Sequence, residues 1–104
     1  MTLARYQLSK EAELDLDGII GYTLSTWDEQ QADRYTTEIR DCCRLLANKP
    51  EIGRLCQWDP QGLRRMEHKS HVIFYEKTGD GIMIVRILHK SMEPQRAILK
   101  RNAK

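Results

Sequence analysis

No run of apolar residues in this chain approaches the ~18 needed to cross a bilayer, so nothing in it is expected to span a membrane. The start, Met-Thr-Leu-Ala-Arg-Tyr, lacks the long apolar segment of a secretory signal, and the expected location is the cytoplasm. Cysteine is scarce and odd in number. Of the 3, Cys42 and Cys43 are adjacent on a predicted helix, a poor disulfide framework, and all read as reduced, partly buried thiols. His68, His71 and His89 would complete a set of metal-ligand types, but neither a C-x₂₋₄-C nor an H-x₃₋₅-H pair occurs. No metal and no cofactor is expected. Thr78-Gly79-Asp80-Gly81 matches neither a phosphate-cradling loop nor a dinucleotide turn, because it precedes a strand and not a helix. Repeats, low-complexity tracts and linkers are missing too.

What is present is a chain of 104 residues, 40% hydrophobic and 31% charged, with room for one modest core. It reads as a single α+β domain over residues 1–104, with a tail at 93–104 that forms a short helix and frays at its end. The net charge of +2 conceals two unlike halves. Residues 1–50 carry 6 Lys/Arg against 9 Asp/Glu, or −3, and residues 51–104 carry 11 against 6, or +5. An acidic partner or nucleic acid would therefore meet the second half, though a solvated surface explains the imbalance equally well.

Residues 62–92 organise the rest. Val72 to Tyr75 and Ile82 to Val85 are short β-branched and aromatic runs around Thr78 to Gly81, a turn whose glycines can take positive φ. Leu63 to His68 precedes this hairpin as a neighbouring strand, with Leu63, Arg65 and Glu67 on one face and Arg64, Met66 and His68 on the other. The second run continues into Arg86-Ile87-Leu88-His89. Upstream, residues 3–8 alternate as a half-buried edge strand. Ser9 is placed to cap a helix whose stripe is Ala12, Leu16, Ile19, Ile20 and Thr23, with Trp27 one turn on. Asp28, with Gln31 three residues later, opens a second helix with Ala32, Tyr35, Ile39, Cys42 or Cys43, and Leu46 inward, stopped by Asn48-Lys49-Pro50. So short a connection makes the pair an antiparallel hairpin covering one face of a mainly antiparallel four-stranded sheet, in the order β-α-α-β-β-β. Residues 51–61 read as an ordered surface loop.

Two constellations could carry function. Arg65, Lys69, His71, Arg86 and His89 gather around two strands, as phosphodiester cleavage without metal would require of a cation and proton carriers. Arg65 or Arg86 could be the cation and His89 one proton carrier, but no second carrier is evident, and His89 is also readable as a strand-end histidine bonded to backbone. Arg64 and Arg65 must face opposite ways. Trp27 and Trp58 lie in connections, either as lids over the core or as anchors for a partner.

The order of elements, with Ala47-Asn48-Lys49-Pro50-Glu51-Ile52-Gly53-Arg54, Gly62-Leu63-Arg64-Arg65, Ser70-His71-Val72-Ile73-Phe74-Tyr75 and Val85-Arg86-Ile87-Leu88-His89-Lys90-Ser91-Met92, resembles ParE toxins of the ParE/RelE superfamily. The start, Tyr6-x-Leu8-Ser9-x-x-Ala12-x-x-Asp15-Leu16-x-x-Ile19, is similar as well, so the resemblance covers residues 6–92. It implies the toxin of a type II toxin–antitoxin module that acts on DNA gyrase and is neutralised by a ParD-like antitoxin in a hetero-oligomer. Operator DNA would be met only through the antitoxin complex. The resemblance also offers the alternative of a RelE/YoeB-like ribosome-dependent messenger-RNA endonuclease, with Arg65 and His89 at positions that serve that branch. There Lys90 replaces the tyrosine that follows the histidine, which removes a participant in the RNA chemistry; no catalytic residue is expected in the favoured reading. Candidate antitoxin contacts are Arg5, Tyr6, Leu8, Trp27, Tyr35, Arg64 and Arg86, for a partner tail that adds a strand or packs as a helix. Candidate gyrase contacts are Arg96, Lys100 and Arg101, unless the basic tail serves only solubility.

Overall fold

Both long helices start where a side-chain oxygen can take up an amide that has no intrahelical acceptor. Ser9 Oγ accepts from the Ala12 N–H at 3.0 Å and opens helix α1, Lys10–Thr26. The Asp28 carboxylate accepts from the Gln31 N–H at 2.8 Å and opens α2, Glu29–Asn48. Only Trp27 and Asp28 separate the two, and the expected hairpin is formed. Pro50 cannot continue α2 and instead begins a 3-10 turn, Pro50–Ile52. The computed structural model describes residues 5–98; Lys100 and Arg101 lie outside them.

The strands are β1 (Arg5–Leu8), β2 (Arg54–Leu55), β3 (Arg64–His68), β4 (His71–Lys77) and β5 (Gly81–His89), and a short helix α3 (Pro94–Ile98) follows. They form one sheet in the order β1-β5-β4-β3-β2, with β1 parallel to β5 and the other neighbours antiparallel. The α+β class and the strand, hairpin and meander order stand. The added strand is β2, two residues inside the stretch expected as loop, too short to show an alternation and held by pairing with Arg64 and Arg65.

The turns differ from expectation in an instructive way. Thr78 N–H donates to Gly81 O at 2.9 Å, but neither Gly79 nor Gly81 has positive φ. Gly81 is required for another reason: a Cβ there would run into the carbonyl oxygen of Arg5 on the parallel strand beside it. The left-handed position falls at Lys69, φ 53°, in the two-residue turn between β3 and β4. A lysine held in that region costs about 1–2 kcal/mol relative to helical or extended backbone.

Two cores lie on the two faces of the sheet. Ile73, Tyr75, Ile84 and Ile87 meet Leu16, Ile19, Ile39 and Leu46 of the helices on one face. Val72, Phe74 and Leu88 meet Cys56, Leu63 and Ile98 on the other. A register shift between Phe74 and Tyr75 lets the longer β5 keep its alternation in step with β4 at both ends. Beyond Ile84, β5 has no strand on its outer side among the described residues, and side chains from the start of α1 occupy that edge. Ser9 Oγ donates to Val85 O at 2.8 Å, and Ile87 N–H donates to the Asp15 carboxylate at 2.9 Å. Exposed backbone that could template strand addition is thus partly covered.

The lower end of α2 is tied to the sheet by Tyr75, which is 0% exposed. Its hydroxyl donates to Pro50 O at 2.7 Å and accepts from Gly53 N–H at 2.9 Å. A Cβ on Gly53 would overlap that hydroxyl, so glycine is what admits the contact. Arg64 Nη1 donates to Gly53 O at 2.6 Å and closes the same corner.

Candidate functional site: a groove with a histidine floor

Helix α1 buries Ala12, Leu16, Ile19 and Thr23, as its stripe predicts. It also carries Leu14 and Tyr22 on another face, 63% and 65% exposed. Their eight-residue separation with Gly18 midway is a second apolar ridge, visible in the sequence as a departure from the main stripe. Between this ridge, α2 and the end of β5 runs a groove of about 780 Å³. Leu14, Tyr22, Trp27, Ile87 and Met92 form its apolar walls. Exposed apolar surface gathered along one groove marks a place where another molecule sits.

One end of the groove is polar. Tyr35, brought inward by the α2 stripe, stands over the β3–β4 turn, and its hydroxyl lies 2.7 Å from His71 Nδ1. A second contact of that hydroxyl, to His68 O, is 3.4 Å and weak by comparison. Its single proton therefore goes to His71 Nδ1. Burial raises the pKa of Tyr35, against a backbone hydrogen bond with Ser70, and keeps the phenol a donor. His71 pairs with His89 in the β4–β5 register, and their rings meet edge to face at 5.5 Å between centroids. The pKa of His71 is lowered, first by burial and then by His89 and His68. On α2, Glu38 receives Lys69 Nζ at 2.9 Å and His68 Nε2 at 3.0 Å, and these bonds, Lys69 first, lower its pKa. The Lys69 ammonium also sits 5.9 Å from the centre of the Tyr35 ring.

The sequence-derived candidates divide among five places. Trp27, 47% exposed, and Tyr35 line the groove and touch each other edge to face at 6.5 Å. Arg5, Tyr6 and Leu8 lie on β1 and do not line it. Arg64 and Arg86 are committed within the fold: Arg64 to the carbonyls of Glu51 and Gly53, and Arg86 to both carboxylate oxygens of Asp15, at 2.7 and 2.9 Å, and to Ala97 O. Arg96 is on α3 with Glu93 3.7 Å away. Trp58 packs against the second core as a lid.

Arg65 and His89 are not brought together. Arg65 is opposite Phe74 in register and its guanidinium lies 5.4 Å from that ring, on the face away from the long helices, whereas His89 is beside His71 on the helix face. The imidazole that stands beside His89 is that of His71. It was hidden because the pairing spans eighteen residues of hairpin and depends on the register across the shift at Phe74 and Tyr75. Cys43 is buried, its thiol pushed up to about 12 mainly by burial, and Cys42 is partly buried. Among the described residues no group of three or more His, Cys, Asp or Glu could hold a metal, and no helix is long and apolar enough to cross a membrane.

Comparison with known proteins gives a consistent answer. The family model described as "ParE toxin of type II toxin-antitoxin system, parDE" matches residues 6–94. Toxin ParE1 of Mycobacterium tuberculosis is 37% identical over 94 residues, covering 89% of this chain and 96% of that protein. Toxin ParE1 of Caulobacter vibrioides is 37% identical over 87 residues, 84% and 90% of the two chains. Toxin ParE of Escherichia coli is 32% identical over 93 residues, 88% and 89% of the two. Among solved structures, a chain of the "Chromosomal ParDE TA system from P. aeruginosa" superposes with a TM-score of 0.69 at 19% identity, covering 84% of this chain and 96% of that one, and shares its fold.

Proposed function

This chain belongs to the ParE toxin family of type II toxin–antitoxin systems, and from that premise we propose that it arrests growth in the cytoplasm by binding DNA gyrase, restrained by a ParD-like antitoxin docked in the groove. The observation that carries the proposal is the family match over residues 6–94, which takes in both long helices and the described sheet from Tyr6 onward. The groove supports the antitoxin part, since its apolar walls suit an amphipathic helix and its rim includes the exposed Trp27. Arg5, Tyr6 and Leu8 on β1 remain candidates for a strand-like part of the same partner, and Arg96, Lys100 and Arg101 for the target. Arg64 and Arg86 contribute as supports of the site: replacing either disturbs the fold before it tests binding.

The toxin acts here as a binder. The endonuclease alternative has one observation in its favour, the His71–His89 pair, and one against it, the placement of Arg65 on the opposite face. A supercoiling assay with purified gyrase, relaxed plasmid and ATP separates the two. Inhibition with trapped linear DNA, relieved by antitoxin, is the expected result. No inhibition at a large molar excess of folded protein, with messenger RNA cut on the ribosome and toxicity lost in a folded His89→Ala variant, would replace it with the nuclease.

A further inference from the structure

The two imidazoles at the floor of the groove are oriented by what their Nδ1 atoms already do. His71 Nδ1 lies 2.7 Å from the Tyr35 hydroxyl, whose proton is assigned to it over the more distant His68 O at 3.4 Å. His89 Nδ1 accepts from the Ser91 backbone N–H at 3.1 Å, with Ser91 Oγ at 2.7 Å. An imidazole whose Nδ1 is an acceptor carries its proton on Nε2 when neutral. Both rings therefore keep an Nε2–H donor, both line the groove, and their centroids are 5.5 Å apart.

The carboxylates nearby are already engaged. Asp15, facing from α1, is held by Arg86 and the Ile87 amide. Glu38, facing from α2, is held by Lys69 and His68. Arg34 of α2 lines the groove and makes no ion pair among the described residues. The polar end thus has donors and positive charge to spare, and among the described residues no carboxylate is bonded to them.

We propose that His71 and His89 form a two-imidazole receptor for a carboxylate side chain carried by the antitoxin segment in the groove, with Arg34 as the flanking cation. This rests on the docking reading above and adds the residue type that the groove selects. A nucleic-acid phosphate would use the same donors, but the apolar walls flanking them favour a folded peptide over a polynucleotide backbone. Tyr35 and Ser91 are positioning residues that set the tautomers. Because an anion beside His71 favours its protonated form, occupancy takes up a proton there and strengthens as pH falls below the ordinary imidazole range.

The test is imidazole ¹⁵N NMR on the intact toxin, titrated with acetate and, separately, with inorganic phosphate at matched ionic strength. The expected result is the Nε2–H tautomer at both histidines and acetate-dependent shifts at His71 and His89 larger than at His68. A His71→Phe/His89→Phe variant should lose about tenfold in apparent acetate affinity, and His71→Gln/His89→Gln, which retains an N–H donor near each Nε2 position, should recover most of it. An Nδ1–H tautomer at either residue, or an acetate titration that leaves both signals unmoved, would overturn the receptor even if the variants fail to fold. Phosphate acting where acetate does not would move the site to nucleic acid and overturn the carboxylate assignment. Growth arrest and gyrase inhibition are read separately, so a toxin that poisons gyrase yet ignores acetate loses only this site.

Discussion

Two tyrosines face the same side of the sheet and end in opposite kinds of chemistry. Tyr75 is 0% exposed and its hydroxyl is closed off, donating to Pro50 O and accepting from Gly53 N–H. Tyr35, 7% exposed, directs its hydroxyl at a histidine whose ring lines the groove floor. Burial raises the pKa of both phenols, so burial does not separate them. What separates them is where the hydrogen-bond chain ends: one terminates in backbone and fastens α2 to the sheet, the other terminates in side-chain donors that line an opening. A closed polar network specifies a fold, and an open one is able to recognise a ligand.

The comparison breaks most severely at Gly53. Gly53→Ala places a methyl group where the Tyr75 hydroxyl sits, and should cost about 2–4 kcal/mol from overpacking together with the lost bonds, read as a lowered urea midpoint. Tyr75→Phe keeps the ring and strands the Gly53 N–H and the Pro50 carbonyl, for about 1–3 kcal/mol. Gyrase inhibition at a temperature where each variant is folded should be unchanged. Inhibition lost in a folded Tyr75→Phe protein would mean that the closed network belongs to the functional surface.

At the open network the effects are smaller in stability and larger in behaviour. Tyr35→Phe should cost about 0.5–1.5 kcal/mol and release the His71 tautomer, visible in the imidazole ¹⁵N shifts. The pKa of His71 is depressed below the ordinary 6.5, so the native state favours the neutral ring. Its contribution is intact above 6.5. As pH falls through 6.5 the unfolded chain binds a proton that the native state refuses, and stability declines until the depressed native value is passed. His71→Gln should flatten that decline between pH 7.5 and pH 5.5; equal slopes for variant and wild type would remove His71 from the account. Lys69→Gly has the smallest expected effect on melting, because relief of about 1 kcal/mol at φ 53° opposes loss of the exposed pair with Glu38. A melting temperature within a few degrees of wild type is the result that keeps this view.

Much of the scaffold could be read from local patterns. Ser9 and Asp28 cap the helices they were expected to cap, and the α2 stripe of Ala32, Tyr35, Ile39, Cys43 and Leu46 is buried. These signals are local: a cap reaches three residues and a helical stripe repeats every three or four. The groove floor was not legible, because its residues meet only through register. His71 and His89 come together across a hairpin with a shift in it, and Arg65 is removed from His89 by strand parity. Lys69 was not distinguishable from any other polar turn residue, since its left-handed backbone follows from the tight two-residue turn between strands already fixed in register. The Leu14, Gly18 and Tyr22 ridge was present in the sequence but was not read as a surface, whereas Trp27 and Tyr35, singled out as partner contacts, do line the groove.

The parallel pairing of β1 with β5, in which Arg5 lies against Gly81, has a consequence for how this toxin comes into being. β1 must wait for β5 to be made, since its partner residues run to Ile84. Contacts so distant in sequence close late in folding. A chain truncated after Thr78 should therefore remain protease-sensitive; a protected, folded fragment of that length would refute the point. The helices emerge with their apolar stripes and no sheet to cover them, so synthesis interrupted before β5 yields a chain in which β1 and both helices lack the strand they pack on.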